Sequence, residues 1–313
     1  MRRFTKCISL MMSLILVLGI VPFAVTAESL QEGDFSYSVN EDGQSVTITA
    51  YTGSDAAVTV PSTLGGLRVT AIGEAAFESN ITLTSVSLPT SIDAIGSMAF
   101  YNCSSLSTLE TTPYLLYVGD QAFTGTAYLS NFEDGPVYVG RVLYTYKGIM
   151  PANTVIEVQP GTASVSPYAF YRQSRLKEIY FPIGMRTIGD LAFMGCTNLL
   201  KMRVPNSVKN YGEAILLNAG GNVSVYGASD SAIDAYCEEN GLFFVHDEAL
   251  DFLEGDVTMD GAVDSRDLRL LMRAFLYDDI AIDADRLASC DFVYDGTINS
   301  ADVRGLLCAY VGA

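Results

Sequence analysis

Two acidic stretches near the C-terminus carry the side chains best suited to chemistry. The first reads Asp256-Val-Thr-Met-Asp260-Gly261-Ala-Val-Asp264-Ser-Arg-Asp267. The second starts 35 residues later and reads Asp291-Phe-Val-Tyr-Asp295-Gly296-Thr-Ile-Asn299-Ser-Ala-Asp302. Both place oxygen-bearing side chains at loop positions one, five, nine and twelve, with Gly at six and an aliphatic residue at eight. A hard cation such as Ca2+ takes six or more oxygens, and a chain that wraps one must turn sharply midway, where glycine permits the turn. Two such loops in matching register, each leading into an amphipathic stretch, point to calcium binding.

The elements around the loops refine that reading. An EF-hand ends its loop on a bidentate Glu and has a helix on each side; here both loops end on Asp, and Glu254-Gly255 and Ser289-Cys290 precede them. The segments after the loops, Leu268–Leu276 and Val303–Val311, are helical in pattern in both copies. Loop then helix, twice, each loop closed by Asp, resembles a dockerin, a duplicated calcium module that plugs secreted proteins into a cohesin domain, usually on a cellulosome scaffold. The resemblance covers residues 255–313.

It implies that Asp256, Asp260, Asp267 and the Ala262 carbonyl bind a first Ca2+, with Asp264 acting through water and Thr258 able to add a hydroxyl. It implies a second ion on Asp291, Asp295, Asp302 and the Thr297 carbonyl, with Asn299 through water. Val293 at the third position offers no oxygen, so the second site is expected to be the weaker. In dockerins partner choice sits at loop positions ten and eleven and on the helix after them. Those positions are Ser265, Arg266, Met272 and Arg273 in the first copy and Ser300, Ala301, Leu307 and Cys308 in the second. The two faces differ in charge and size, so a cohesin is not expected to treat them alike.

At the other end, Arg2, Arg3 and Lys6 precede an apolar run from Cys7 to Val25 and a small-x-small signal, Val25-Thr-Ala27. This is the pattern of a secretory signal peptide cut after Ala27, and the rest of the sequence holds no second apolar span. The 313 residues are 49% hydrophobic, enough for a substantial core and two domains. Net charge is −18, or −21 without the three basic residues of the signal. Such a surface repels nucleic acid and anionic membrane. Five cysteines remain after cleavage, an odd and scattered set that argues for separate buried thiols rather than a disulfide framework.

The middle of the chain repeats. Ala71-Ile-Gly-Glu-Ala-Ala-Phe77 recurs at Ala94–Phe100, Tyr117–Phe123, Ser164–Phe170, Thr187–Phe193 and Asn210–Leu216, at intervals of 23 residues save one of 47, which hides a degenerate copy. A Leu comes after most of the motifs (Leu83, Leu106, Leu176, Leu199), then a short alternating strand ended in several copies by Pro. A fixed period of this length means stacked coils that bury their Leu, Ile and Phe against one another. The array resembles leucine-rich repeats of the BspA-like group, found on secreted and surface bacterial proteins. Register separates Cys103 from Cys196 by four coils, roughly 19 Å at the spacing of stacked strands and far beyond disulfide reach. In the degenerate copy Val137–Lys147 alternates like a hairpin strand and puts Val142, Tyr144 and Tyr146 on one face. Tyr144 and Tyr146 either pack the irregular coil or form a platform for sugar faces. Lys177, Glu178, Lys201 and Arg203 read as a solvated face.

No catalytic constellation is legible. The single histidine, His246, falls in the acidic connector beside the array, Cys237 reads as a helix-face cysteine, and there is no Trp to line a sugar subsite. The expectation is therefore an α/β leucine-rich-repeat solenoid of 23-residue period, then a small all-α calcium-binding dockerin module of duplicated loop–helix units. The expected boundaries are signal peptide 1–27, N-terminal β cap 28–70, repeat array with closing strand and helix 71–247, linker 248–254 and dockerin 255–313. Its expected role is that of a secreted, non-catalytic protein, extracellular or held at the cell surface through the scaffold. It docks to a cohesin within a polysaccharide-degrading complex and presents a repeat surface to a protein or glycan. The alternatives are an unrecognised glycosidase or peptidase, or an inhibitor or spacer subunit.

Overall fold

A coil of 23 residues cannot bury its apolar side chains alone; it must stack. The computed structural model describes residues 30–247, 250, 265–277 and 300–311. It is a β-solenoid of about nine turns with the 23-residue period. Residues 1–29, the linker apart from Leu250, and the acidic loops as far as Asp264 and Asn299 lie outside the described residues.

In chain order the array comprises β1 (Leu30–Glu32), β2 (Phe35–Val39), β3 (Ser45–Tyr51), β4 (Ala57–Thr59), β5 (Thr63–Leu64), β6 (Leu67–Ile72), β7 (Ser85–Ser87), β8 (Ala94–Ile95), β9 (Thr108–Glu110) and β10 (Tyr117–Val118). A short helix α1 (Ala127–Ser130) precedes β11 (Gly135–Val139) and β12 (Val142–Lys147). Next come β13 (Thr154–Glu157), β14 (Ser164–Val165), β15 (Leu176–Tyr180), β16 (Thr187–Ile188), β17 (Lys201–Arg203), β18 (Asn210–Tyr211), β19 (Ser224–Gly227), α2 (Ala232–Asn240) and β20 (Phe243–His246). Helices α3 (Ser265–Tyr277) and α4 (Ser300–Val311) belong to the C-terminal region. An antiparallel start, β1-β2-β3, leads into parallel ladders: β3-β6-β8-β10 and β4-β7-β9 in the first half, β12-β14-β16-β18 and β13-β15-β17-β19-β20 in the second. His246 thus closes an outer strand, opposite Gly227, rather than lying in a connector.

Each motif residue has a distinct task in the coil. Ile72, Ile95, Val118, Val165 and Ile188 point inward and are at most 2% exposed. Phe77, Phe100 and Phe123 stack at 5.0 and 5.4 Å between centroids, Phe170 and Phe193 at 5.1 Å. Deleting one such buried ring costs about 3–5 kcal/mol. The Gly before them has a steric origin: a Cβ on Gly119 would sit 2.3 Å from the Ser97 backbone nitrogen one coil back. Two residues before each Phe the backbone is left-handed, with φ of +54° at Ala75, +56° at Met98, +55° at Gln121, +56° at Tyr168 and +54° at Leu191. The turn aims N–H groups at the next coil: Ala75 donates to Ser97 O at 3.0 Å, Met98 to Asp120 O at 2.9 Å and Tyr168 to Asp190 O at 3.0 Å. Those bonds offset a conformational cost of about 1–2 kcal/mol per non-glycine residue.

The rhythm fails between Tyr117 and Ser164, where the antiparallel pair β11–β12 replaces an ordinary coil. Strand β12 is wedged between two cores. Val142 and Tyr144 belong to the N-terminal one and Leu143 to the C-terminal one, while Tyr146 packs on Phe170 at 6.3 Å. Tyr144 and Tyr146 thus pack against different halves of the array, the first of the two roles the sequence leaves open to them. The irregular coil also leaves backbone groups of its predecessor without the usual partners, and side chains satisfy them. Ser164 and Ser166 donate from Oγ to Leu116 O and Val118 O at 2.6 and 2.7 Å. The Phe77 and Phe100 amides reach the next coil's carbonyls at 2.8 Å, whereas the Phe123 amide donates to the Tyr144 hydroxyl at 3.1 Å. The same device ends the array, where the Ile215 amide donates to the Tyr236 hydroxyl at 3.1 Å.

Candidate binding surfaces

The C-terminal helices place the last loop position of each acidic stretch. Helix α3 carries Asp267 in its first turn and α4 carries Asp302. Both carboxylates are fully buried, as are Leu271 and Leu306 one turn further along, and the two helices pack together. Side chains at i and i+4 share a face, so Asp and Leu define one inward face on each helix. Around Asp267 the opposite face exposes Ser265, Arg266, Met272 and Arg273. It also exposes Arg269, which the loop spacing does not single out although it stands three residues from Arg266 on the same stripe. Ser300 is exposed on α4; the side chains of Ala301, Leu307 and Cys308 lie outside the described set. Among the described residues no three His, Cys, Asp or Glu side chains converge on a metal position. Asp256, Thr258, Asp260, Ala262, Asp264, Asp291, Asp295, Thr297 and Asn299 lie outside the described residues. The donor set of the two stretches is oxygen only, which suits a hard cation, and a carboxylate withdrawn from water needs charged or hydrogen-bonding compensation.

The outward side chains of the outer ladders differ between the two halves. On β7 and β9 they are Ser85, Ser87, Thr108 and Glu110, flanking buried Val86 and part-buried Leu109. On β15, β17 and β19 the register aligns Glu178 with Lys201 and Ser224, and Tyr180 with Arg203 and Tyr226. Lys201 Nζ lies 5.3 Å from the Tyr180 ring centre and 4.4 Å from that of Tyr226. Tyr180 donates to Glu178 at 2.6 Å, which holds that carboxyl below its usual range, and Lys177 pairs with Glu178 at 3.4 Å. Arg203 Nε meets Asp247 at 2.8 Å. This second-half face is an ordered mixture of aromatic and charged groups rather than a set of scattered solvated residues.

A cleft of about 680 Å³ opens where the rhythm breaks. The coil of Asp120, Gln121 and Thr124 forms one rim and that of Tyr168, Tyr171 and Gln173 the other, with Tyr144, Thr145 and Tyr146 of β12 between them. Tyr144 is only 4% exposed. Its hydroxyl is occupied by the Phe123 amide and pushed up to about 12, chiefly by burial. Tyr144 therefore supports the cleft rather than offering a ring face, in keeping with the packing role, one of its two alternatives.

The thiols are not poised for reaction. Cys103, Cys196 and Cys237 are free and fully buried, and burial pushes them up to about 11, 12 and 12. The Cys103 and Cys196 thiols donate to Phe77 O and Phe170 O at 2.9 and 3.1 Å. A neutral buried thiol is a poor nucleophile. Among the described residues no helix is long and apolar enough to cross a membrane.

Comparison with known proteins fits this geometry. The BspA type leucine rich repeat region matches residues 50–135 and 152–231 in six copies, just over half of the chain, and the type I dockerin domain matches residues 254–306. The gap between the two repeat segments contains most of the hairpin. No curated protein matches. Among solved structures, a leucine-rich repeat protein of T. pallidum is 24% identical, covering 61% of this chain and 89% of that one with a TM-score of 0.38. The pneumococcal vaccine antigen PcpA is 20% identical over 64% of this chain and 49% of its own, at 0.33. A leucine-rich repeat protein from Bacteroides ovatus is 17% identical over 69% and 67%, at 0.34.

Proposed function

The chain belongs to the BspA-type leucine-rich repeat family, and we propose that it is a secreted, non-catalytic adaptor in which the C-terminal module docks onto a cohesin in a calcium-dependent way. One observation carries the reading: two matching acidic stretches each end in a fully buried Asp, Asp267 or Asp302, in the first turn of a helix that packs on its twin. Calcium would be held by Asp256, Asp260, Asp267 and the Ala262 carbonyl, with Asp264 acting through water and Thr258 adding its hydroxyl. The second ion would rest on Asp291, Asp295, Asp302 and the Thr297 carbonyl, with Asn299 acting through water, one side-chain ligand poorer. The ion supplies charge neutralisation, which lets these carboxylates be packed together. Arg266, Arg269, Met272 and Arg273 then present a basic, partly apolar face to the cohesin.

The repeat array carries the second surface. On β15, β17 and β19, Tyr180, Arg203 and Tyr226, residue types that protein interfaces favour, stand side by side and are held in place by Lys201 and Glu178 through cation–π and hydrogen-bond contacts, which makes a preorganised patch. The adaptor would thereby hold a partner against a scaffold, in an assembly that degrades polysaccharide. A pull-down of the full chain against a cohesin panel, with calcium and with chelator, tests the docking half. Capture by a cohesin only in calcium is expected. Capture that persists in chelator, or no capture by a protein that still binds calcium, overturns it.

A further inference from the structure

The hairpin that interrupts the array does more than fill a missing coil: it holds apart two rims that would otherwise stack. We infer that the resulting cleft is a binding site for a neutral oligosaccharide segment. The inference rests on the reading of the array as a ligand-bearing module, but it concerns a different surface from the β15–β19 face.

Three observations carry it. The first is size. A volume of about 680 Å³ falls within the roughly 300–1,000 Å³ of small-ligand sites.

The second is the placement of aromatic rings. Tyr168 occupies the left-handed turn position, φ +56°, that Ala75, Met98, Gln121, Leu191 and Ala214 occupy in the other coils. A bulky ring is the least suited of these side chains to that backbone, and it stands at a coil that borders the cleft. Tyr171 is 42% exposed and meets Tyr168 edge to face at 5.9 Å and 83°, and the Arg172 guanidinium lies over its ring at 5.1 Å. The exposed Tyr171 ring, restrained by Tyr168 and Arg172, offers apolar surface at the cleft rim to the C–H side of a sugar ring at little further entropic cost.

The third is the polar complement. Asp120, Gln121, Thr124 and Gln173 supply carboxylate, amide and hydroxyl groups around the rings, and Asp120 Oδ2 accepts from the Gln121 amide at 2.9 Å. Such mixed acceptors and donors match the paired hydroxyls of a sugar, each of which both gives and takes a hydrogen bond. The charge selects within that class. At the rim Asp120 and the Arg172 guanidinium over Tyr171 are one charge of each sign, so the cleft itself has no cationic excess for a uronic or otherwise anionic glycan, and the −18 of the whole chain disfavours one, leaving a neutral glycan. A Pro-rich peptide also docks on tyrosines, but its carbonyls only accept, so it would match the amide N–H groups and bring few donors to the acceptor oxygens of Asp120, Gln121 and Gln173.

Affinity electrophoresis of the full chain in gels containing xyloglucan, galactomannan or polygalacturonate tests this. At least one neutral polymer should retard the wild type and the uronate should not. Tyr171→Ala, at an exposed position where Glu78, Thr124 and Leu217 stand in sibling coils, should fold normally and weaken retardation at least tenfold. Tyr168→Ala should do the same, and Lys201→Ala on the β17 face should leave it unchanged. No retardation by any neutral polymer, equal retardation of both tyrosine variants and wild type, or loss in Lys201→Ala instead overturns the site. So does binding of a Pro-rich peptide in place of the polymers. Cohesin capture scored on the same preparations separates failure of the cleft from failure of the adaptor reading: capture without saccharide binding sinks only the former.

Discussion

Removing one oxygen atom at the break should loosen the whole array. In Tyr144→Phe the ring, its edge-to-face contact with Phe123 at 5.6 Å and 85°, and its volume are kept; the acceptor of the buried Phe123 amide is lost, together with a hydrogen bond to the Thr124 side chain at the cleft. A buried donor left unsatisfied costs about 1–3 kcal/mol, and no carbonyl of a regular next coil is at hand to replace it. For an array of this size that corresponds to a fall in midpoint of about 2–12 °C. The matched variant Tyr180→Phe also loses a hydroxyl, the one donated to Glu178 at 2.6 Å, but on the half-exposed sheet face. It should stay within about 0.5 kcal/mol of wild type. Thermal unfolding ranks the two, and native-state hydrogen exchange localises the effect: the Phe123 amide should exchange roughly 5- to 150-fold faster, the factor that 1–3 kcal/mol implies. If Tyr144→Phe unfolds with Tyr180→Phe and the Phe123 amide keeps its protection, the hydroxyl is not the substitute for the missing coil. Tyr236→Phe, which releases the Ile215 amide at the far end, is an independent repeat of the experiment.

Steric register gives a second test: Gly119→Ala forces a Cβ against the Ser97 backbone and should cost about 1–3 kcal/mol. Gly221→Ala, with nothing near its Cβ, should be neutral or slightly stabilising in the same denaturation assay. Cys103, Cys196 and Cys237 should resist a thiol reagent until the array unfolds, whereas labelling of native protein at pH 8 would contradict their burial. Because their folded values are raised above the ordinary 9.0 to about 11–12, the array holds these protons more tightly than the unfolded chain does. Stability is therefore full below pH 9 and falls as pH rises towards 11–12, by up to about 1.4 kcal/mol per pH unit for each thiol. Alkaline unfolding of wild type against Cys196→Ala reads that slope. Chelation of the full chain should lower only the transition of the C-terminal module in scanning calorimetry and leave that of the array unmoved; a calcium-independent trace contradicts metal-linked folding.

The part of this protein that one chain of letters determined rests on periodicity and chemistry that are local. The recurrence of Ile-Gly and Ala-Phe every 23 residues dictates stacking, because a coil exposes as much apolar surface above and below as it buries inside. Six of the motifs are legible without coordinates, and so is the pairing of acidic stretches that end at Asp267 and Asp302, since ligand spacing is a property of a short segment. The separation of Cys103 from Cys196 comes from register alone.

Tertiary structure decided the rest, and always where two distant segments meet. Alternation in Val142, Tyr144 and Tyr146 reads as one face, but only the fold shows that β12 lies between two cores, with Val142 and Tyr144 packed in the N-terminal one and Tyr146 against the C-terminal one. Nothing in the local pattern says that the Tyr144 hydroxyl will stand in for a carbonyl one coil away, or that Ser166 replaces the usual Gly because the preceding coil is irregular and the Val118 carbonyl awaits a donor. Tyr168 and Gln121, far apart in sequence, become opposite rims of one cleft only because the chain leaves the stack between them. Lys201 reads as a solvated charge until parallel register sets it between Tyr180 and Tyr226. Repeats encode the stack in each copy separately; the exceptions to the repeat acquire meaning only from the neighbours that stacking brings to them.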